Sequence, residues 1–285
     1  MFAFKSRYHL FDLFEIPVYV DISLLVLLLL FATGGGSLVS GLVSAVLLLV
    51  SITAHEFGHA LTARSFGYGT RDITLSLLGG CASLIAMPRK AKEEFLTAVA
   101  GPAVSFALAM LGVAGVAMVS HGGFLDAWLY VLSDTLNAFY IPVEWGRIVA
   151  EPKDFQAISF FLGFALMNGM LGFFNMLPGF PLDGGRVFRS AMRSFMPRAK
   201  ATYIAMIVGR GVAILVGLRG LIALQGGGNW GFVSLLIAWM IWKEGYREYQ
   251  LARMESGWTY QDFRAHVSPP PYGGSDDDCD VTRER

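Results

Sequence analysis

His55 and His59 stand four residues apart with Glu56 beside the first, in the pentad His55-Glu-Phe-Gly-His59. On a helix such a pair projects from one face, one turn apart. Two imidazoles so placed can share a zinc ion, with the glutamate close to the metal's open position. Zinc lowers the pKa of a water ligand towards neutrality, and Glu56 is then the base that takes its proton. The hydroxide attacks a peptide carbonyl, and the metal and nearby donors stabilise the oxyanion.

Five residues can match by chance, as two incidental histidines on a surface helix. The setting argues otherwise. Leu38–Ala54 is a run without charge that leads directly into the pentad, so three ionisable groups fall in an apolar helix. A full charge at the bilayer centre costs at least about 2.5–3.5 kcal/mol and is kept mainly where function requires it. His55 lies nine residues before Arg64, roughly 13 Å along a helix at 1.5 Å per residue. The site is expected to be submerged, nearer the cytoplasmic face.

Zinc in a hydrolase takes a third protein ligand and leaves one position open. The best candidate is Asp183, in Asn175-Met-Leu-Pro-Gly-Phe-Pro-Leu-Asp-Gly-Gly-Arg186. Pro178 and Pro181 interrupt a helix, and Gly179, Gly184 and Gly185 loosen it. Broken helices at membrane depth are tolerated where they line a polar cavity. An unwound stretch would swing Asp183 inward and expose backbone groups to a substrate. Taken alone, Asp183 could equally cap a helix running from Gly184. Beside the pentad, the ligand reading is stronger.

The elements that must hold these residues are membrane helices. Of 285 residues, 54% are apolar and only 15% charged, against about 25% charged in soluble domains. Six candidate spans fall at 17–32, 38–65, 94–120, 157–177, 200–224 and 229–246. The first is the weakest, because Pro17 and Asp21 shorten its apolar core. Eighteen of the 22 basic residues lie before the first span, after the sixth, or in the second and fourth connections. The positive-inside rule then places both termini in the cytoplasm of a multi-pass cell-membrane protein. Charged residues Asp12, Glu15 and Asp21 argue against a cleaved signal peptide.

Between spans two and three, Asp72–Leu77 and Cys81–Met87 flank Gly79-Gly80, and the alternation in Ile73–Leu77 predicts a small β-hairpin. Phe14–Val20 is strand-like and could pair with it. The loop 121–157, with Trp128, Tyr130, Tyr140 and Trp145, reads as an extracytoplasmic interfacial segment. Pro, Gly and Asp dominate the chain from about 265, which predicts disorder. Cys81 and Cys279 are too far apart in sequence and character to suggest a disulfide framework. Zero net charge gives no argument for nucleic acid. Arg210, inside span five, is expected to pair with a carboxylate or to snorkel to a headgroup. Gly112 and Gly115 are expected to allow close helix packing.

His55–His59, Leu77-Leu-Gly-Gly80, Ala100-Gly-Pro102 and Asn175–Arg186 together resemble the site-2 proteases, the intramembrane zinc metalloproteases of peptidase family M50. The resemblance covers roughly residues 10–250 and is to a compact form without PDZ or CBS domains. It implies one zinc ion bound by His55, His59 and Asp183, with Glu56 catalytic. It also implies that Asn175 positions substrate or stabilises the oxyanion. Ser105 stands where relatives often carry asparagine.

The expected fold is an all-α polytopic membrane protein of about six transmembrane helices, with a small β-hairpin or sheet near the cytoplasmic face. Residues 1–16 form a cytoplasmic N-terminal segment, 17–250 the protease domain and 251–285 a cytoplasmic tail. The expected activity is hydrolysis of a peptide bond within or next to a transmembrane segment of a membrane-protein substrate. The bilayer is the other partner, and a homo-oligomer stays open. The competing class is a membrane metal-binding or transport protein without proteolysis. Glu56 discriminates between them, because transport needs no base beside the metal.

Overall fold

The computed structural model describes residues 7–25, 28–29, 37–76, 79–86, 88, 90–120, 123–138, 154–225 and 230–256. Strands β1 (Arg7–Leu13) and β2 (Ile16–Asp21) come first, followed by helix α1 (Leu38–Ser65) and strands β3 (Thr70–Ser76) and β4 (Gly79–Leu84). Helices α2 (Ala91–Val119), α3 (Phe124–Ala138), α4 (Phe155–Asn175), α5 (Asp183–Met192), α6 (Arg198–Gln225) and α7 (Trp230–Ser256) complete the order.

Among the described residues, four helices, α1, α2, α4 and α6, are long and apolar enough to cross a membrane. The expected first and sixth spans differ from them. Residues 17–21 belong to strand β2, and helical residues begin only at Ile22. Burial alternates along Ile16–Tyr19, and period two with Val18, Tyr19 and Val20 favours a strand. Helix α7 covers the sixth span and continues to Ser256, and the charges from Lys243 onward make it less apolar.

The sheet order is β1-β2-β3-β4. Strands β1 and β2 pair antiparallel, β2 and β3 parallel, and β3 and β4 antiparallel. Parallel neighbours need a long crossover, and α1 supplies it. The predicted pairing of the 14–20 segment with the hairpin is therefore present. Phe14 and Glu15 make the β1–β2 turn at positive φ, 52° and 62°, and the Phe14 ring packs edge-on against Phe57 of α1. The paired glycines are not the hairpin turn, as expected from sequence, but the first residues of β4.

Ile16, Val18, Ile73 and Leu75 are fully buried and cluster with Leu48, Ile52, Phe57 and Ala60 of α1. Burying such side chains contributes about 1.5–3 kcal/mol each for the larger ones. The sheet is thus pressed onto the turns of α1 that carry the pentad.

Helices α2 and α4 pack closely at Gly112, where a Cβ would meet Ala165 at 2.8 Å, and at Gly115 against Phe161. The expected 121–157 loop holds a helix, α3, whose Ala127 and Val131 join that core. Tyr140 and Trp145 lie outside the described residues, as does the tail from 257. The carboxylate expected for Arg210 is not found among the described residues. Its guanidinium stands instead over the Trp242 ring of α7, at 4.8 Å.

Candidate metal centre

Helix α1 begins in a capping box between Ser37 and Ser40 and runs 28 residues without a break. Its length puts His55, Glu56 and His59 well inside the helix, all buried. Helix α4 ends at Asn175, and the chain then turns through Pro178 and Pro181 before α5 starts at Asp183. The break expected from the prolines and glycines is present. Gly179 holds it against the bundle, since a Cβ there would lie 2.9 Å from Ile241 and 3.2 Å from Gly209.

Asp183 does not cap α5. Leu182 occupies the N-cap position without a side-chain hydrogen bond. The Asp183 carboxylate turns instead to α1, where its Oδ2 lies 3.1 Å from Nε2 of both His55 and His59. The two Nε2 atoms are 3.2 Å apart. These atoms form a near-equilateral triangle of donors. Tetrahedral zinc with bonds of 2.0–2.1 Å needs ligand atoms about 3.3 Å apart, so the triangle fits that ion. A fourth, open vertex remains for water or substrate.

Helix α2 sets the direction of both imidazoles. His59 Nδ1 lies 2.7 Å from the carbonyl oxygen of Thr97. A carbonyl only accepts, so Nδ1 carries the proton and Nε2 offers its lone pair to the triangle. His55 Nδ1 is bonded to Ser105 Oγ at 2.9 Å. A lone pair of His59 and a carboxylate oxygen facing each other repel unless a cation lies between them. Partners of this kind on the far ring nitrogen orient histidine ligands and fix their tautomer.

Glycine makes the space. A Cβ at Gly101 would lie 2.1 Å from His59 Nε2 and 2.7 Å from His55 Nε2. A Cβ at Gly80 would lie 2.2 Å from Cγ of Glu56. Gly101 of α2 and Gly80 of β4 are thus the close-approach points on either side of the centre. Glu56 points at the sheet, with Oε2 accepting the Ala82 N–H of β4 at 3.0 Å. Asn175 stays apart from the triangle, and its carboxamide nitrogen donates to Leu171 of its own helix at 2.9 Å. Sequence reasoning missed Thr97 and the bond from Ser105. Thr97 had no signal but position, four residues before Gly101, whereas Ser105 was marked only as standing at a position where relatives often carry asparagine.

The pattern of peptidase family M50 matches residues 43–218. A Synechocystis protein provisionally named a zinc metalloprotease is 33% identical over 247 residues, 81% of this chain and 56% of the relative. A Mycobacterium tuberculosis protein with the same provisional name is 34% identical over 206 residues, 72% of this chain and 45% of the relative. The chain spans about half the length of these curated relatives. The solved site-2 protease from Methanocaldococcus jannaschii superposes with a TM-score of 0.54 at 25% identity, covering 86% of this chain and 95% of that one. On the family match, which takes in both the pentad and Asp183, the chain belongs to peptidase family M50.

Proposed function

We propose that this chain is an intramembrane zinc metalloprotease that hydrolyses a peptide bond within or next to a transmembrane segment of a membrane-protein substrate. One observation carries the reading: three donors from α1 and α5 converge on one point inside an apolar, membrane-length helix. His55, His59 and Asp183 hold the ion. When bound by these residues, zinc would supply acidification of a water and polarisation of a carbonyl. Glu56, next to the first histidine, accepts the proton and returns it to the leaving amine. Asn175, at the end of α4, positions the substrate chain.

A transmembrane helix hides its carbonyls in its own hydrogen bonds, so the substrate unwinds before it is cut. Strand β4 is an edge strand beside Glu56, and an unwound segment can pair along it by β-augmentation. The protease domain extends over about 17–250, between a short N-terminal segment and a tail from 251, with both termini in the cytoplasm.

The test is co-expression of candidate single-span proteins with the wild-type chain and with Glu56→Gln. Cleavage by the wild type alone is expected. Cleavage that persists in Glu56→Gln would overturn the mechanism.

A further inference from the structure

Arg189 is the largest fully buried side chain among the described residues, at 1% exposure. An arginine cannot shed its charge on burial, so its partners must be supplied by the fold. Glu94 of α2 supplies the first, with its Oε1 accepting Arg189 Nε at 2.8 Å and Nη2 at 2.6 Å. The other Glu94 oxygen takes Arg193, the residue that caps the C-terminus of α5. Glu248 of α7 takes Arg189 Nη1 at 2.9 Å. Two guanidiniums and two carboxylates balance, so the cluster carries no net charge. The planar fork of arginine gives such contacts a fixed geometry that a lysine would not reproduce.

The cluster joins three helices, and its place in the chain gives it a direction. Arg189 lies six residues after Asp183 on the ten-residue helix α5. Its guanidinium also stands 4.9 Å from the centre of the buried Phe180 ring, three residues before Asp183. One side chain therefore pins the segment that enters the aspartate and the helix that leaves it. Glu94, on the other side, is three residues before Thr97 on α2, the helix that orients His59 and His55. Helix α2 is thus the common frame for both halves of the centre, with Thr97 and Ser105 holding the histidines and Glu94 holding the aspartate's helix.

We infer that Glu94, Arg189 and Glu248 are positioning residues for the metal centre, fixing α5 so that Asp183 completes the donor triangle. The inference rests on Asp183 being the third ligand, and it adds α7 to the elements on which metal binding depends. A solvated ion pair would not have this consequence. The Arg198–Glu255 bridge between α6 and α7, with both partners partly exposed, serves as the contrast.

The experiment measures zinc affinity of the full chain in detergent by competition with a chelator, and the visible absorption of the cobalt-substituted protein. Glu94→Gln is expected to weaken zinc about 10-fold, the lower end of what losing a ligand's own hydrogen-bond partner costs, and to shift the cobalt bands. Glu248→Gln is expected to weaken it several-fold, and Glu255→Gln, at the exposed end of the contrasting bridge, to leave it unchanged. Removing one member of a buried ion pair can unfold a protein, whereas replacing both by apolar residues is often tolerated. The double variant Glu94→Met with Arg189→Met therefore repeats the test without an orphaned charge.

Zinc affinity within twofold of wild type in Glu248→Gln, and in whichever of the other two variants folds, overturns the inference. Wild-type protein that binds no zinc, or binds it equally after Asp183→Ala, overturns the underlying reading of the ligands instead.

Discussion

His59 gives its Nδ1 proton to the carbonyl oxygen of Thr97 at 2.7 Å, and that bond decides which nitrogen faces Asp183. The partner is backbone, so no side-chain substitution removes it directly. The equivalent bond on the other imidazole, between His55 Nδ1 and Ser105 Oγ, can be removed. Both bonds come from α2, so this helix acts on the centre without contributing a donor to the triangle.

Ser105→Ala leaves His55 Nδ1 unpartnered in a fully buried site. We expect zinc affinity to fall about 10–100-fold, measured by chelator competition, with Ser105→Thr retaining most of it because the hydroxyl is kept. Equal affinities in the wild type and Ser105→Ala would show that the bond does not orient the ring.

Gly101→Ala places a methyl group 2.1 Å from His59 Nε2, at the triangle itself. The expected result is loss of bound zinc, read by metal analysis, with helical content by circular dichroism unchanged. Stoichiometric zinc in this variant would place the metal elsewhere.

Gly80→Ala tests the opposite wall. The three atoms nearest its methyl, at 2.2–2.6 Å, all belong to Glu56, which must move. Zinc content is expected to stay at the wild-type level while turnover falls about 10²–10⁴-fold, the contribution of a general base, matching Glu56→Gln. Loss of zinc in Gly80→Ala would mean that β4 supports the metal and not the base.

Orientation is tested by labelling. In a cysteine-free background, Ser194→Cys between α5 and α6 and Gly123→Cys before α3 are both exposed. A membrane-impermeant maleimide added to intact cells is expected to label Gly123→Cys alone. Labelling of Ser194→Cys would invert the proposed topology.

The triangle is legible in the sequence, because ionisable side chains at helical spacing are costly in an uncharged run unless they bind something. The proline-broken segment then brings in the one aspartate that can join them. The sheet is half legible. Strand β2 alternates, whereas β1 is exposed along its whole length and so has no burial period to read. The support of the centre is not legible at all. Thr97 acts through its carbonyl, which every residue has, and Ser105 is one small polar residue in an apolar helix. Arg189 reads in sequence as one of several basic residues, and only the packing of α2 and α6 against α5, with Glu248 reaching in from α7, makes it buried. The mistaken role for Gly79-Gly80 has the same origin: paired glycines signal a turn, but Gly80 is small here because Glu56 lies against it.

His59 and Asp183 are 124 residues apart in the chain, and this separation has a consequence for biosynthesis. A ribosome adds about 5–20 residues per second, so the pentad precedes its third donor by roughly 6–25 s at those rates. During that interval the newborn protein carries two histidines and a glutamate without a complete ligand set. The centre closes only after α5 has emerged and met α1. On the proposed function, the chain is thereby inactive until most of its own bundle is in place.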